Sequence, residues 1–204
     1  MTAHLADEPA HWPVTASAER YRGKIINVRS DTVQVPEGAT TEREVVEHPG
    51  AVGVVALDEA GRVLMIRQYR HAVGRLLWEL PAGLRDVAGE PTARTARREL
   101  LEETGYRARD WHVLADYFSS PGISTERLRV FLARGLEEVP EADRDFVPEN
   151  EEAHLILDWV PLDEAVSLVL AGELHNGVAV VGLLAAHQAR RNDFGGLRDA
   201  DAPE

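Results

Sequence analysis

Residues 97–106 read RRELLEETGY, and this stretch decides how the rest of the chain is read. The spacing predicts a helix over about 92–104, with Pro91 at its start and Gly105 as a left-handed stop. On that helix Glu99, Glu102 and Glu103 stand at i, i+3 and i+4, so three carboxylates leave one face. Like charges at this spacing weaken a helix by about a few tenths of a kcal/mol per pair. They also sit in the last turn and a half, where the helix dipole disfavours negative charge. Arg94, Arg97 and Arg98 could balance a merely solvated acidic face, but Arg98 to Glu102 is the less favourable order for an i, i+4 pair. A bound divalent cation resolves the conflict directly, and oxygen ligands from one helical face suit Mg²⁺ or Mn²⁺ better than zinc.

Working outward, alternating strand-like text precedes the helix. KIINVRSDTVQV (24–35), a turn at PEGAT and TEREVVEH (41–48) form a small N-terminal β unit. GAVGVVAL (50–57) and RVLMIRQYR (62–70), separated by DEAG, read as a central hairpin, and RLLWELPAG (75–83) as a further strand. Beyond the helix, HVLADYF (112–118), RLRVFLARG (127–135) and LILDWVPL (155–162) read as strands. A helix capped by Asp163 runs through Leu170, and another spans about 177–190. The polar residues 1–18 and the tail DFGGLRDADAPE (193–204) read as disordered. The fold class is therefore α/β, with a mixed sheet between helices and a β unit of residues 1–48 before a main domain of residues 49–192.

Composition narrows the function. The chain has 204 residues, 44% hydrophobic and 28% charged, as in a soluble globular protein. A net charge of −13 argues against nucleic acid as a partner and means that an anionic substrate needs local positive charge. The absence of cysteine excludes disulfides and thiolate zinc sites; with no apolar run that would span a membrane and no secretory start, the cytoplasm is the default location. Basic charge is nearly all arginine, with Lys24 the single lysine.

Glu90, seven further residues and then REL-LEE-TGY closely resemble the Nudix hydrolase signature, with Glu90, Arg98, Glu99, Leu100, Glu102, Glu103, Gly105 and Tyr106 in matching places. Six residues separate Gly83 from Glu90 where that pattern has five. The resemblance implies a Nudix-type α/β/α sandwich and a metal-dependent hydrolase of nucleoside diphosphates linked to another moiety. It makes Glu99 and Glu103 direct metal ligands, Glu102 a third ligand or one acting through water, and the Ala82 carbonyl another. Arg98 and Glu90 would orient the carboxylates.

WELPAG (78–83), SSPG (119–122), REVVEH (43–48) and the N-terminal β unit resemble the ADP-ribose pyrophosphatase branch, in its actinobacterial forms. That branch implies cleavage of ADP-ribose to AMP and ribose 5-phosphate with Mg²⁺ or Mn²⁺, more than one ion, in a homodimer. Arg43 would lie against the adenine, Arg70 would reach the diphosphate or terminal ribose, and Glu79 would hold a ribose hydroxyl or an arginine. Pro121 is the branch's proline, and the general base would be Glu152, or else Glu151, in the acidic loop after Pro148. Other nucleoside-diphosphate sugars are the alternative substrates, and a silent nucleotide sensor on the same fold is the alternative from another class.

Overall fold

In the computed structural model, which describes residues 5–144 and 155–204, the chain divides into two units. The first comprises residues 1–48 with 120–125, and the second residues 49–119 with 126–204. The first is a three-stranded antiparallel sheet of β1 (Val14–Arg22), β2 (Asn27–Gln34) and β3 (Thr40–Glu47) in that order. Its first strand begins inside the stretch read as disordered, because the ladder to β2 supplies partners that local composition does not reveal. Asp31 is its buried charge, satisfied by Ser17 at 2.6 Å and Arg29 at 2.8 Å.

The second unit contains β4 (Ala51–Ala56), β5 (Arg62–Arg70), β6 (Arg75–Glu79), β7 (Ala82–Leu84) and α1 (Thr92–Thr104). There follow β8 (Tyr106–Phe118), β9 (Arg127–Glu138), β10 (Ile156–Pro161), α2 (Leu162–Leu170), α3 (Gly177–Arg191) and β11 (Arg198–Asp199). One sheet runs β11-β8-β9-β4-β7, with β4 and β9 parallel and the rest antiparallel; a second runs β10-β5-β6. The layers follow from strand alternation. Along β9, Val130 and Leu132 pack with Leu162 and Ala165 of α2 and Leu183 of α3. Phe131 and Ala133, between and after them, pack with Ala93, Ala96 and Leu100 of α1. A strand buried on both faces reads as a continuous apolar run, and the result is an α/β/α sandwich. Among the described residues no helix is long and apolar enough to cross a membrane.

Three local readings change. The runs 50–57 and 62–70 do not form a hairpin, apart from a single bridge between Leu57 and Val63. β4 uses its two edges for β7 and β9, and β5 uses its two for β6 and β10, so the chain switches sheets at the DEAG turn. It switches again at Pro81, which splits the expected 75–83 strand into β6 and β7. Asp163 does not cap α2 either: Pro161 stands at that position, and the Asp163 carboxylate instead meets Arg190 and, at 3.3 Å, His187 of α3.

The tail expected to be disordered is docked. Arg198 and Asp199 pair with Val113 and His112 of β8, and Arg198 reaches Asp116 at 2.8 Å. The cause lies in Arg129, 2% exposed on β9, which forks onto Asp116 at 2.7 and 2.9 Å. Its remaining donors need acceptors, and the carbonyls of Ala202 and Pro203 supply them at 2.7 and 3.1 Å. Glu204 adds ion pairs to Arg85 at 3.0 Å and Arg127 at 3.6 Å. Polar composition signals disorder only when no buried charge elsewhere requires the segment.

Burial pushes the Asp116 pKa up, but hydrogen bonds from Arg129 and Arg198 outweigh it and hold the carboxyl below its ordinary value. Its contribution to stability is therefore complete above the ordinary aspartate range and fades as the pH falls through the lower folded value. Deleting residues 198–204 should lower stability by about 1–3 kcal/mol at neutral pH, towards the low end because water reaches the exposed Arg129. The difference between the thermal melts of the full and shortened chains should narrow as the pH falls below about 4, the Arg129 bonds to the Ala202 and Pro203 carbonyls being indifferent to pH, whereas a disordered tail would give coincident melts throughout.

Candidate active site

Helix α1 positions the acidic cluster by what it buries. Ala93, Ala96, Leu100 and Thr104 face the sheet, which leaves Glu99, Glu102 and Glu103 on the flank toward β7. Gly105 ends the helix with φ 75°, and its N–H closes the last turn on the Leu101 carbonyl at 2.8 Å. Glu103 accepts a 2.8 Å hydrogen bond from the Ala82 N–H, which ties the helix to β7. Glu99 lies flat against the next residue. A Cβ on Gly83 would stand 2.0 Å from the Glu99 carboxyl carbon, so the carboxylate occupies the space a side chain would need.

Arg98 stands against two of the helix acids. Its Nη1 lies 2.7 Å from Glu99 and 3.0 Å from Glu102, so the less favourable i, i+4 pair is made after all. Glu90, 10% exposed, takes the Thr95 hydroxyl at 3.0 Å and lies 3.5 Å from Arg98 and 3.6 Å from Arg94. Glu90 thus steadies the arginine that steadies the helix acids. Burial pushes the Glu99 pKa up to about 6, and the Glu102 charge adds to this while Arg98 opposes it. Burial thus outweighs the neighbouring guanidinium at Glu99.

Among the described residues no three acidic or histidine side chains converge on one point. Glu99 and Glu102 are drawn to Arg98, and Glu103 to the backbone. The donor set nevertheless fits a hard divalent cation: three carboxylates from one helical face, one of them seated in a glycine cradle. The structure brings Ala82 to this cluster through its N–H.

Arg70 and Glu79 form a second element. Glu79 is 1% exposed, and Arg70 holds it through Nε at 2.9 Å and Nη2 at 2.7 Å, with Gln68 at 3.4 Å. Of the two partners considered for Glu79, the arginine is the one observed. Arg43 lies on β3, exposed, with its guanidinium on the Thr41 hydroxyl at 2.8 Å and the Glu42 carbonyl at 3.0 Å. Pro121 is exposed in the turn of residues 120–125, which belongs to the first unit with Arg43. Glu151 and Glu152 lie outside the described residues. Sequence reasoning missed the Gly83 cradle and the Glu90–Thr95 contact. The glycine was visible as a motif position, but its purpose depends on how closely α1 approaches β7.

Comparison with known proteins was made against this geometry. A family model described as "NUDIX domain" matches residues 47–180. The chain is 51% identical over 176 residues to an ADP-ribose pyrophosphatase of Mycobacterium tuberculosis, covering 85% of this chain and 82% of that one. It is 37% identical over 164 residues to an ADP-ribose pyrophosphatase of Bacillus subtilis, covering 79% and 84%. A solved structure titled "Crystal structure of ADP compounds hydrolase" superposes with TM-score 0.73 over 92% of this chain and 98% of that one; at 20% identity it supports the fold.

Gly83→Ala tests the cradle. The added methyl displaces Glu99, and Mn²⁺ binding followed by electron paramagnetic resonance should weaken by at least about tenfold. Circular dichroism should show the secondary structure intact. Unchanged Mn²⁺ affinity would remove Glu99 from the ligand set.

Proposed function

The chain belongs to the NUDIX domain family, and we propose that it hydrolyses ADP-ribose to AMP and ribose 5-phosphate with a divalent cation, Mg²⁺ or Mn²⁺, more than one ion being held. The observation that carries this reading is the α1 carboxylate face seated on Gly83, in a chain half identical to an ADP-ribose pyrophosphatase along most of its length. Glu99, Glu102, Glu103 and the Ala82 carbonyl would hold the metal, which when bound neutralises the diphosphate and activates water.

The chain's own residues do the rest. Arg98, anchored by Glu90, sets the orientation of Glu99 and Glu102 and yields them to a stronger cation. Arg70 carries positive charge to the diphosphate or terminal ribose, and the buried Glu79 holds its guanidinium in one orientation. Arg43 stacks on the adenine and Pro121 shapes the turn beside the substrate. Glu152, or else Glu151, takes the proton from the attacking water; a carboxylate needs no raised pKa for that at neutral pH. The protein acts as a homodimer in the cytoplasm. Strand β1 supports the dimer, being an edge strand exposed along all nine residues, with Val14 and Tyr21 about half exposed.

Product analysis with Mg²⁺ tests the reading, offering ADP-ribose beside UDP-glucose, GDP-mannose and NADH. AMP and ribose 5-phosphate from ADP-ribose alone is the outcome expected. Equal cleavage of all four would replace the narrow specificity with a broad one, and no cleavage would overturn the assignment as a hydrolase.

Glu103→Gln separates metal binding from folding. The amide oxygen still accepts from Ala82, so the melting temperature should hold while kcat falls by orders of magnitude. Retention of most activity would show that Glu103 holds no metal.

A further inference from the structure

The opposite flank of α1 carries a feature that the carboxylate face does not use. Between α1 and the start of β8 lies a cavity of about 570 Å³, a size that suits a small molecule. Arg94, Arg97 and Arg98 line it from successive turns of the helix, and Arg107 lines it from β8. Glu90 is the one acid on its wall, and that carboxylate is already engaged by Thr95, Arg98 and Arg94. Arg94 and Arg98 are paired with Glu90, and Arg98 also with Glu99 and Glu102, so the charge that Arg97 and Arg107 bring to the cavity is what makes it positive in a chain of net charge −13.

The donors have unmet capacity. Among the described residues, no ion pair or side-chain hydrogen bond is made by Arg97 or Arg107. The Arg98 Nε–H is buried and has no acceptor among the described residues, a state that costs stability unless something fills it. The Arg97 guanidinium carbon lies over the Trp111 ring, 5.4 Å from its centroid, which puts a cation beside an aromatic wall. Leu101 and Ala108 complete an apolar floor. Guanidinium forks grip phosphate oxygens, and a stacked guanidinium beside aliphatic walls accepts a planar ring.

We propose that this cavity is a second ligand site, beside the carboxylate face and sharing Arg98 and Glu90 with it, for a phosphate monoester carried on a planar ring, the chemical class of the nucleoside monophosphates. Arg97, Arg98 and Arg107 bind the phosphate, and Arg97 bears the ring.

Phenyl phosphate is a suitable probe, since it has the ring and the dianion but no diphosphate to be cleaved. Calorimetric titration of the full chain in EDTA keeps metal off the acidic face, which then repels anions. One saturable site is expected, binding phenyl phosphate more tightly than inorganic phosphate. Arg97→Glu with Arg107→Glu should weaken it by about tenfold or more. Arg107→Glu alone, on an exposed side chain that cannot threaten the fold, should weaken it in the same direction. Glu103→Gln should leave it unchanged. Absence of saturable binding, or binding indifferent to both arginine variants, would overturn the proposal. Tighter binding in Glu103→Gln, where one repelling charge is gone, would assign the anion to the carboxylate face instead, and equal affinity for inorganic phosphate would overturn the role given to the ring.

Discussion

Helix α1 can approach β7 only because residue 83 has no side chain. The Glu99 carboxyl carbon occupies the place of the missing Cβ, and one residue earlier the Ala82 N–H reaches Glu103. These two contacts set the helix's height over the strand and thereby the positions of all three acids. The alanines at 93 and 96 serve the same end from the other side, since small residues let the helix lie close to Val52, Val54 and Phe131. A cluster that electrostatics alone would scatter is kept together by steric fit.

Arginine is the counterweight throughout. Arg98 gathers Glu90, Glu99 and Glu102; Arg70 fixes the buried Glu79; Arg129 binds Asp116 and draws the C-terminal residues onto the sheet. Each case follows the same rule, that a charge taken out of water must be paired and its remaining hydrogen-bonding groups satisfied. A planar fork with several donors meets two partners at once, which a lysine ammonium does not do with the same geometry. The near absence of lysine is therefore consistent with the structure, though base composition can also favour arginine.

Much of the site was legible in the order of residues. The bounds of α1 agree with the sequence reading because Pro91 and Gly105 act locally, through a fixed φ and a left-handed stop. The facing of Glu99, Glu102 and Glu103 follows from helical periodicity. What failed were readings about partners. Asp163 looked like a cap and turned to Arg190 and His187, which lie more than twenty residues away. Residues 198–204 looked solvated and turned out to complete the shell of Arg129.

The sequence by itself determined where the helix lies and which oxygen donors its face presents, because each rests on interactions within a few residues. Only the tertiary structure decided that β4 and β5 part into different sheets, that Glu79 pairs with Arg70, that the tail docks, and that Arg98 reaches Glu90, Glu99 and Glu102 together. Strand edges and buried charges are satisfied by whichever group the fold brings near, and that choice is made across the chain rather than along it.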